Sequence, residues 1–183
     1  MNILDRLCTA RGLRQRIAAS RDRLFWVALA WSGDAMVADD LVQETLETAL
    51  DKAQQLRDPE RLFAWMYSIM NNCWRHYLRR QRPECELDEM QFASDSDPEQ
   101  LSDQHAAIQQ VRAAIARLPV GQREVLTLVD LEGFAYQEVA DILEIPIGTV
   151  MSRLSRARGF LQVALQSLRQ EPGIATARIR RVQ

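Results

Sequence analysis

The chain has 183 residues with only seven glycines and six prolines, and nowhere does it run apolar and polar residues in alternation. Half-buried strands need that alternation, so its absence, beside many apolar repeats at three and four residues, points to an all-α fold. No apolar run approaches the roughly 20 residues of a transmembrane helix, and the N-terminus lacks the apolar segment of a signal peptide. A cytoplasmic location without membrane insertion is the expectation. Cysteine is scarce and odd in number. Cys8, Cys73 and Cys85 are irregularly spaced, which implies no disulfide framework. Cys73 and His76 lie one helical turn apart near Cys85, but a structural zinc site wants four ligands and no convincing fourth is present. Nor is there a nucleophile–base–acid set, a phosphate loop or a two-carboxylate site. The chain is expected to hold no metal or other cofactor and to have no catalytic residues.

A uniform positive charge is also missing, since the formal net charge is −2. The charges are instead segregated. Twenty-two of the 23 basic residues are arginine, grouped around Arg75–Arg82, in a helix after Pro146, and in the tail. Acids gather between Asp39 and Asp51 and again from Glu84 to Asp103, a 20-residue stretch with eight acids, three serines, one proline and no base. Such a stretch cannot bury a core and reads as a flexible acidic linker. A chain of this length buries one moderate core or two small ones. The linker favours two.

Spacing sorts the faces of the helices. From Ile147 to Phe160 the residues Ile147, Val150, Leu154, Ala157 and Leu161 recur as one apolar stripe. Ser152, Ser155, Arg156 and Gly159 fall opposite, with Met151 and Arg153 on the flanks and no acid in the helix. The preceding helix, Tyr136 to Leu143, is amphipathic through Val139, Ala140 and Leu143, and a tight turn joins the two. This is a helix-turn-helix whose outer face is small and basic, suited to a DNA groove. Upstream, a helix from Asp39 to Ala53 sets Val42, Leu46, Ala49 and Ala53 against an acidic ridge of Asp40, Glu44, Glu47 and Asp51. A ridge of four acids with no compensating base fits a basic partner better than it fits helix stability. In the next helix Phe63, Met66, Ile69, Met70, Cys73 and Tyr77 face inward, leaving Ser68, Asn71, Asn72, Arg75, Arg79 and Arg82 outward. Amides and arginines on one face suit an unpaired strand, while Trp65 and Trp74 read more simply as core.

The segments LPVGQREVL, FAYQEVADIL and IPIGTVMSRLSRAR resemble region 4 of the extracytoplasmic-function (ECF) class of bacterial sigma factors. DDLVQETLETAL followed by FAWMYSIMNNCWRHYLRR resembles region 2 of the same class, and the likeness covers roughly Leu24 to Leu165. The resemblance implies that Asp40, Gln43, Glu44 and, on the same ridge, Glu47 bind core RNA polymerase. It implies minus-10 DNA contacts from the loop Leu56 to Arg61 and from Trp65, Asn72, Arg75 and Arg79, with Asn72 as the pocket amide for a flipped base. For the minus-35 duplex it implies Thr149, Met151, Ser152, Arg153, Ser155, Arg156 and Arg158. Four positions depart from the family pattern: Asn71 replaces a frequent base, His76 a usual acid, Met151 a common base-contacting cation, and Glu144 the usual glycine of the turn. The promoter sequence is therefore not transferable. A non-glycine residue at positive φ costs roughly 1 kcal/mol, so a slightly altered turn is expected at Glu144.

The expected organisation is a region 2-like domain at 1–83, an acidic linker at 84–104, a region 4-like domain at 105–168 and a basic tail at 169–183 carrying Arg178, Arg180 and Arg181. Two small helical domains on a flexible linker are expected to move relative to each other when free. The function implied is an alternative sigma factor with core RNA polymerase, promoter DNA and an anti-sigma factor as partners. Two other readings stay open: a stand-alone helix-turn-helix regulator, and an adaptor that only binds an anti-sigma factor.

Overall fold

A computed structural model describes residues 12–81 and 103–166, the side chains from 108 onward in the second stretch. Among the described residues every regular element is helical: α1 (12–19), α2 (Arg21–Ser32), α3 (Ala35–Asp51), α4 (Leu62–Gln81), α5 (Asp103–Ala116), α6 (Val120–Leu126), α7 (Tyr136–Leu143) and α8 (Ile147–Ala164). The acidic stretch, apart from Asp103, and the basic tail lie outside the described residues, as do Cys8 and Cys85.

The first half is built by α1 to α4. Gly33, at φ +73°, ends α2 in the left-handed conformation that glycine adopts without steric cost. Asp34 then caps α3, its carboxylate accepting from the N–H groups of Met36 (2.7 Å) and Val37 (3.1 Å). That cap starts α3 four residues earlier than its acidic pattern suggests. The stripe turns inward as expected, with Val42 and Ala49 buried and Leu46 and Ala53 half-buried against the core.

The second half is a helix-turn-helix on a support. α6 and α7 both pack on α8. Between α6 and α7 the chain widens into one π turn, Thr127–Leu131, closed by the Glu132 N–H donating to the Thr127 carbonyl at 3.0 Å. The turn before α8 is made by Glu144 itself, which sits in the left-handed region at φ 53° and ψ 46°. The expected alteration of that turn is absent. A glutamate takes the conformation a glycine would take.

The two halves do not stand apart. They share a continuous core in which α4 packs on α7 and α2 packs on α5 and α6. Three buried hydrogen bonds cross the seam: Trp31 Nε1–H to Thr127 Oγ1 (2.7 Å), Asn71 Nδ2–H to the Ile142 carbonyl (3.1 Å), and Trp74 Nε1–H to Glu124 Oε1 (2.9 Å). Tyr67 meets Phe134 edge to face at 5.6 Å. The structure presents the two halves docked on each other. The physical reason lies in α4, which is buried on two sides, Cys73 toward α3 and Asn71 and Trp74 toward the other half. Polarity alone predicts Asn71 outward. It is 1% exposed, because a backbone carbonyl satisfies its amide.

Candidate polymerase and nucleic-acid interfaces

Helix α8 emerges from Pro146 with Val150, Leu154 and Ala157 buried and Leu161 half-buried. Ile147, the first residue of α8, breaks the expected stripe: it is 44% exposed. Met151, Ser152, Ser155, Arg156 and Gly159 are exposed and Thr149 is half-buried, its carbonyl accepting from Ser152 Oγ at 3.1 Å. The three arginines of α8 are not equivalent. Arg158 chelates Asp130 through Nε (3.1 Å) and its terminal nitrogen (2.5 Å). That carboxylate holds the guanidinium charge more firmly than usual. Arg153 is half-buried and lies across Gly121, where an added Cβ would meet its Cζ at 2.7 Å. Only Arg156 is exposed with no hydrogen bond or ion pair among the described residues.

That difference sharpens an expected outcome. Arg156→Ala should lose roughly 1–3 kcal/mol of discrimination between cognate and scrambled minus-35 duplexes, as removal of a good base contact does. Arg158→Ala should instead weaken binding to both duplexes alike, through loosening of the Asp130 clamp. Anisotropy titrations of both duplexes distinguish them. Equal losses on the two duplexes for Arg156→Ala would refute the assignment.

On α3 the ridge residues Asp40, Gln43, Glu44 and Glu47 are all exposed. Gln43 Nε2–H donates to Glu47 Oε1 at 3.0 Å and Arg21 pairs with Asp39 at 2.7 Å, but no described base neutralises Asp40 or Glu44. The ridge therefore presents net negative charge to solvent.

The loop between α3 and α4 is held from both ends. Arg16 donates to the Pro59 carbonyl at 3.1 Å, and Asp58 Oδ1 accepts from the Glu60 N–H at 3.0 Å. Leu56 and Trp65 are half-buried, whereas Arg61, Asn72 and Arg79 are exposed. Trp74 is buried and stacks on Tyr77 at 5.5 Å, a packing role. Arg75 departs from the outward reading. Its guanidinium pairs with Glu144 Oε2 at 3.0 Å and donates to the Leu143 carbonyl, both at the end of α7.

Sequence reasoning missed Glu124, whose carboxyl is buried at the seam and raised from the usual 4.5 to about 7 by that burial, against the Trp74 hydrogen bond and the charges of Arg153, Arg75 and Arg123. Beside it Arg123 is 1% exposed, and its Nε and one terminal nitrogen lack a hydrogen-bond partner. The only signal was a charged pair inside the short helix α6, and the hydrogen-bond partner of Glu124, Trp74, lies 50 residues away in sequence. Among the described residues no group of three or more His, Cys, Asp or Glu is placed to hold a metal ion, and no helix is long and apolar enough to cross a membrane.

A helix-turn-helix with one free arginine, carried beside a second helical half with an exposed, unneutralised acidic ridge, defines a two-part DNA-binding protein. Comparison with known proteins makes the class specific. The family models described as Sigma-70 region 2 and Sigma-70, region 4 match residues 17–84 and 108–161. The chain is 37% identical over 153 residues to the ECF RNA polymerase sigma factor EcfG of Rhodopseudomonas palustris, covering 84% of each chain. It is 33% identical to the ECF RNA polymerase sigma-E factor of Escherichia coli K12 over 149 residues, covering 75% of this chain and 76% of that one. Among solved structures it resembles the sigma factor RpoE in complex with the anti-sigma factor NepR from Bartonella quintana, with 28% identity, a TM-score of 0.67, and coverage of 85% of this chain and 98% of that one. It also resembles CnrH in complex with the cytosolic domain of CnrY, with 25% identity, a TM-score of 0.60, and coverage of 86% and 89%. The chain belongs to the ECF RNA polymerase sigma factors, which are not an enzyme class.

Proposed function

We propose that this chain is a dissociable initiation subunit that binds core RNA polymerase in the cytoplasm and directs it to a subset of promoters, with an anti-sigma factor holding it in check. The observation that carries this reading is the joining of two complementary faces in one chain: the unneutralised ridge of Asp40, Gln43, Glu44 and Glu47, and the recognition helix with its free Arg156. The first suits a basic coiled surface on the polymerase. The second suits the major groove of the minus-35 element. Residues 1–83 then serve core binding and minus-10 opening, 84–104 connect, and 105–168 read the minus-35 element. The chemistry belongs to the polymerase, and the chain itself contributes binding and strand separation. Anti-sigma control is inferred from the two solved relatives, each of which was captured with its own partner.

Promoter-directed transcription by purified core polymerase plus this chain is the deciding experiment. A stand-alone regulator or an adaptor that only sequesters an anti-sigma factor would give no such transcript.

Within this reading Asn72 is the residue to test for strand opening. It is exposed on α4 after the anchored Leu56 to Arg61 loop, so a base leaving the stack meets an amide. Flipping costs a few kcal/mol that such contacts must offset. Asn72→Ala is expected to leave polymerase assembly and closed-complex binding intact while reducing permanganate-reactive thymines on a duplex promoter. On a template with a premelted minus-10 bubble the defect should shrink. Wild-type opening on the duplex would remove Asn72 from the pocket.

A further inference from the structure

Glu144 is, among the described residues, the one non-glycine residue with positive φ. Glycine would hold that turn without steric strain, so the turn gains nothing from a glutamate. What the glutamate adds is a carboxylate, and it points across the seam to Arg75 at 3.0 Å. The second partner of that guanidinium is the Leu143 carbonyl, one of the unpaired carbonyls at the negative end of α7. Both contacts come from the helix-turn-helix. The arginine they hold sits three residues, just under one helical turn, from exposed Asn72, on the helix proposed above to meet the minus-10 strand.

We infer that Glu144 is an intramolecular competitor for Arg75: in the closed chain the turn of the DNA-reading motif takes up the guanidinium that a phosphate of the promoter strand would use, and separation of the halves releases it. This rests on the initiation-factor reading given above. The seam is built so that it can open. Arg123 is buried there, near Gly33 of the first half, with two guanidinium nitrogens lacking hydrogen-bond partners, and Glu124 is buried with a carboxyl that resists ionisation. Each makes closure less favourable than a fully satisfied interface would be. The Arg75–Glu144 pair, with its partners 35% and 63% exposed, then adds a small bias to a balanced equilibrium. A small bias suffices to shift populations when the two states lie close in free energy.

The test uses the full-length free chain and two variants, Glu144→Gly and Glu144→Gln. Glycine suits the turn and glutamine keeps the size without the charge, so neither removes anything the fold requires. Binding is measured by anisotropy with a fluorescein-labelled random single-stranded DNA 12-mer, and compactness by small-angle X-ray scattering. Both variants are expected to bind the oligonucleotide roughly two- to fivefold more tightly than the wild type, the range an exposed ion pair supports, with an increased radius of gyration. Unchanged oligonucleotide affinity in both variants overturns the inference, whether or not the halves separate, because Arg75 would then not be contested. Promoter-directed transcription with core polymerase is run alongside. If the wild-type chain supports it and the variants bind DNA no better, the competitor role fails while the initiation-factor reading stands. If no chain supports it, that reading fails, and scattering with oligonucleotide binding still decides whether Glu144 shields Arg75.

Discussion

Glu124→Gln is expected to flatten a pH dependence of stability that the wild-type chain shows between about pH 4.5 and about pH 7. Burial raises the Glu124 carboxyl through that interval, so the folded chain keeps a proton that the unfolded chain has already released. Stability from this group is therefore greatest below the unfolded value and is lost as pH rises through the interval, with the loss complete above it. The full penalty is on the order of 3 kcal/mol, since every tenfold difference in proton affinity between the folded and unfolded chain is worth about 1.4 kcal/mol. Glutamine keeps an oxygen to accept from the Trp74 indole N–H and carries no ionisable proton. At pH 8 the variant should accordingly melt several degrees above the wild type, roughly 5–10 °C for a chain of this size, while at pH 5 the two should converge. Calorimetry at the two pH values measures the difference directly. Parallel behaviour of the two chains across the range would mean that the three surrounding arginines already hold the carboxylate charged.

The second large effect is expected at the exposed ridge of α3. Asp40→Arg combined with Glu44→Arg should lower the affinity for core RNA polymerase at least tenfold, about 1.4 kcal/mol, at low salt. Both side chains are exposed and neither is neutralised by a described base, so reversal replaces attraction with like-charge contact at two points of one ridge. Stability should stay within about 0.5 kcal/mol of wild type, because Val42 and Ala49, on the buried side of α3, are untouched. The deficit should narrow as salt is added, since exposed charges are screened over a Debye length of about 10 Å at 0.1 M. An affinity within twofold of wild type in a salt-matched titration would place the polymerase elsewhere on the surface.

Local periodicity carries a large part of this architecture. The stripes of α3 and α8, the short α7 and the all-helical class all follow from the spacing of apolar residues, because one buried face per helix leaves a clear 3.6-residue pattern. The pattern fails where a helix is buried on two sides. Asn71 and Trp74 on α4 are satisfied by partners 71 and 50 residues away, and no window of a dozen residues contains such a contact. The resemblance implies minus-35 contacts for Arg153 and Arg158, but helical spacing does not reveal what holds the two side chains in the fold. Their seats, Gly121 and Asp130, come from a separate helix and from the π turn. Glu144 is legible as an anomaly, a glutamate where glycine is usual, but its purpose lies across the seam in Arg75.

The two indole hydrogen bonds that cross the seam give the protein an optical signal of its own state. Of its four tryptophans, Trp31 and Trp74 are buried with their N–H groups bonded into the other half, whereas Trp26 is 52% exposed and Trp65 half-buried. Separation of the halves would lift the Arg112 guanidinium of α5, 4.7 Å away, from the already exposed Trp26 ring, and would wet Trp31 and Trp74. Their emission would then move to longer wavelength without any loss of helix. Closure can thus be followed in an unlabelled chain, in real time, as polymerase or an inhibitor is added.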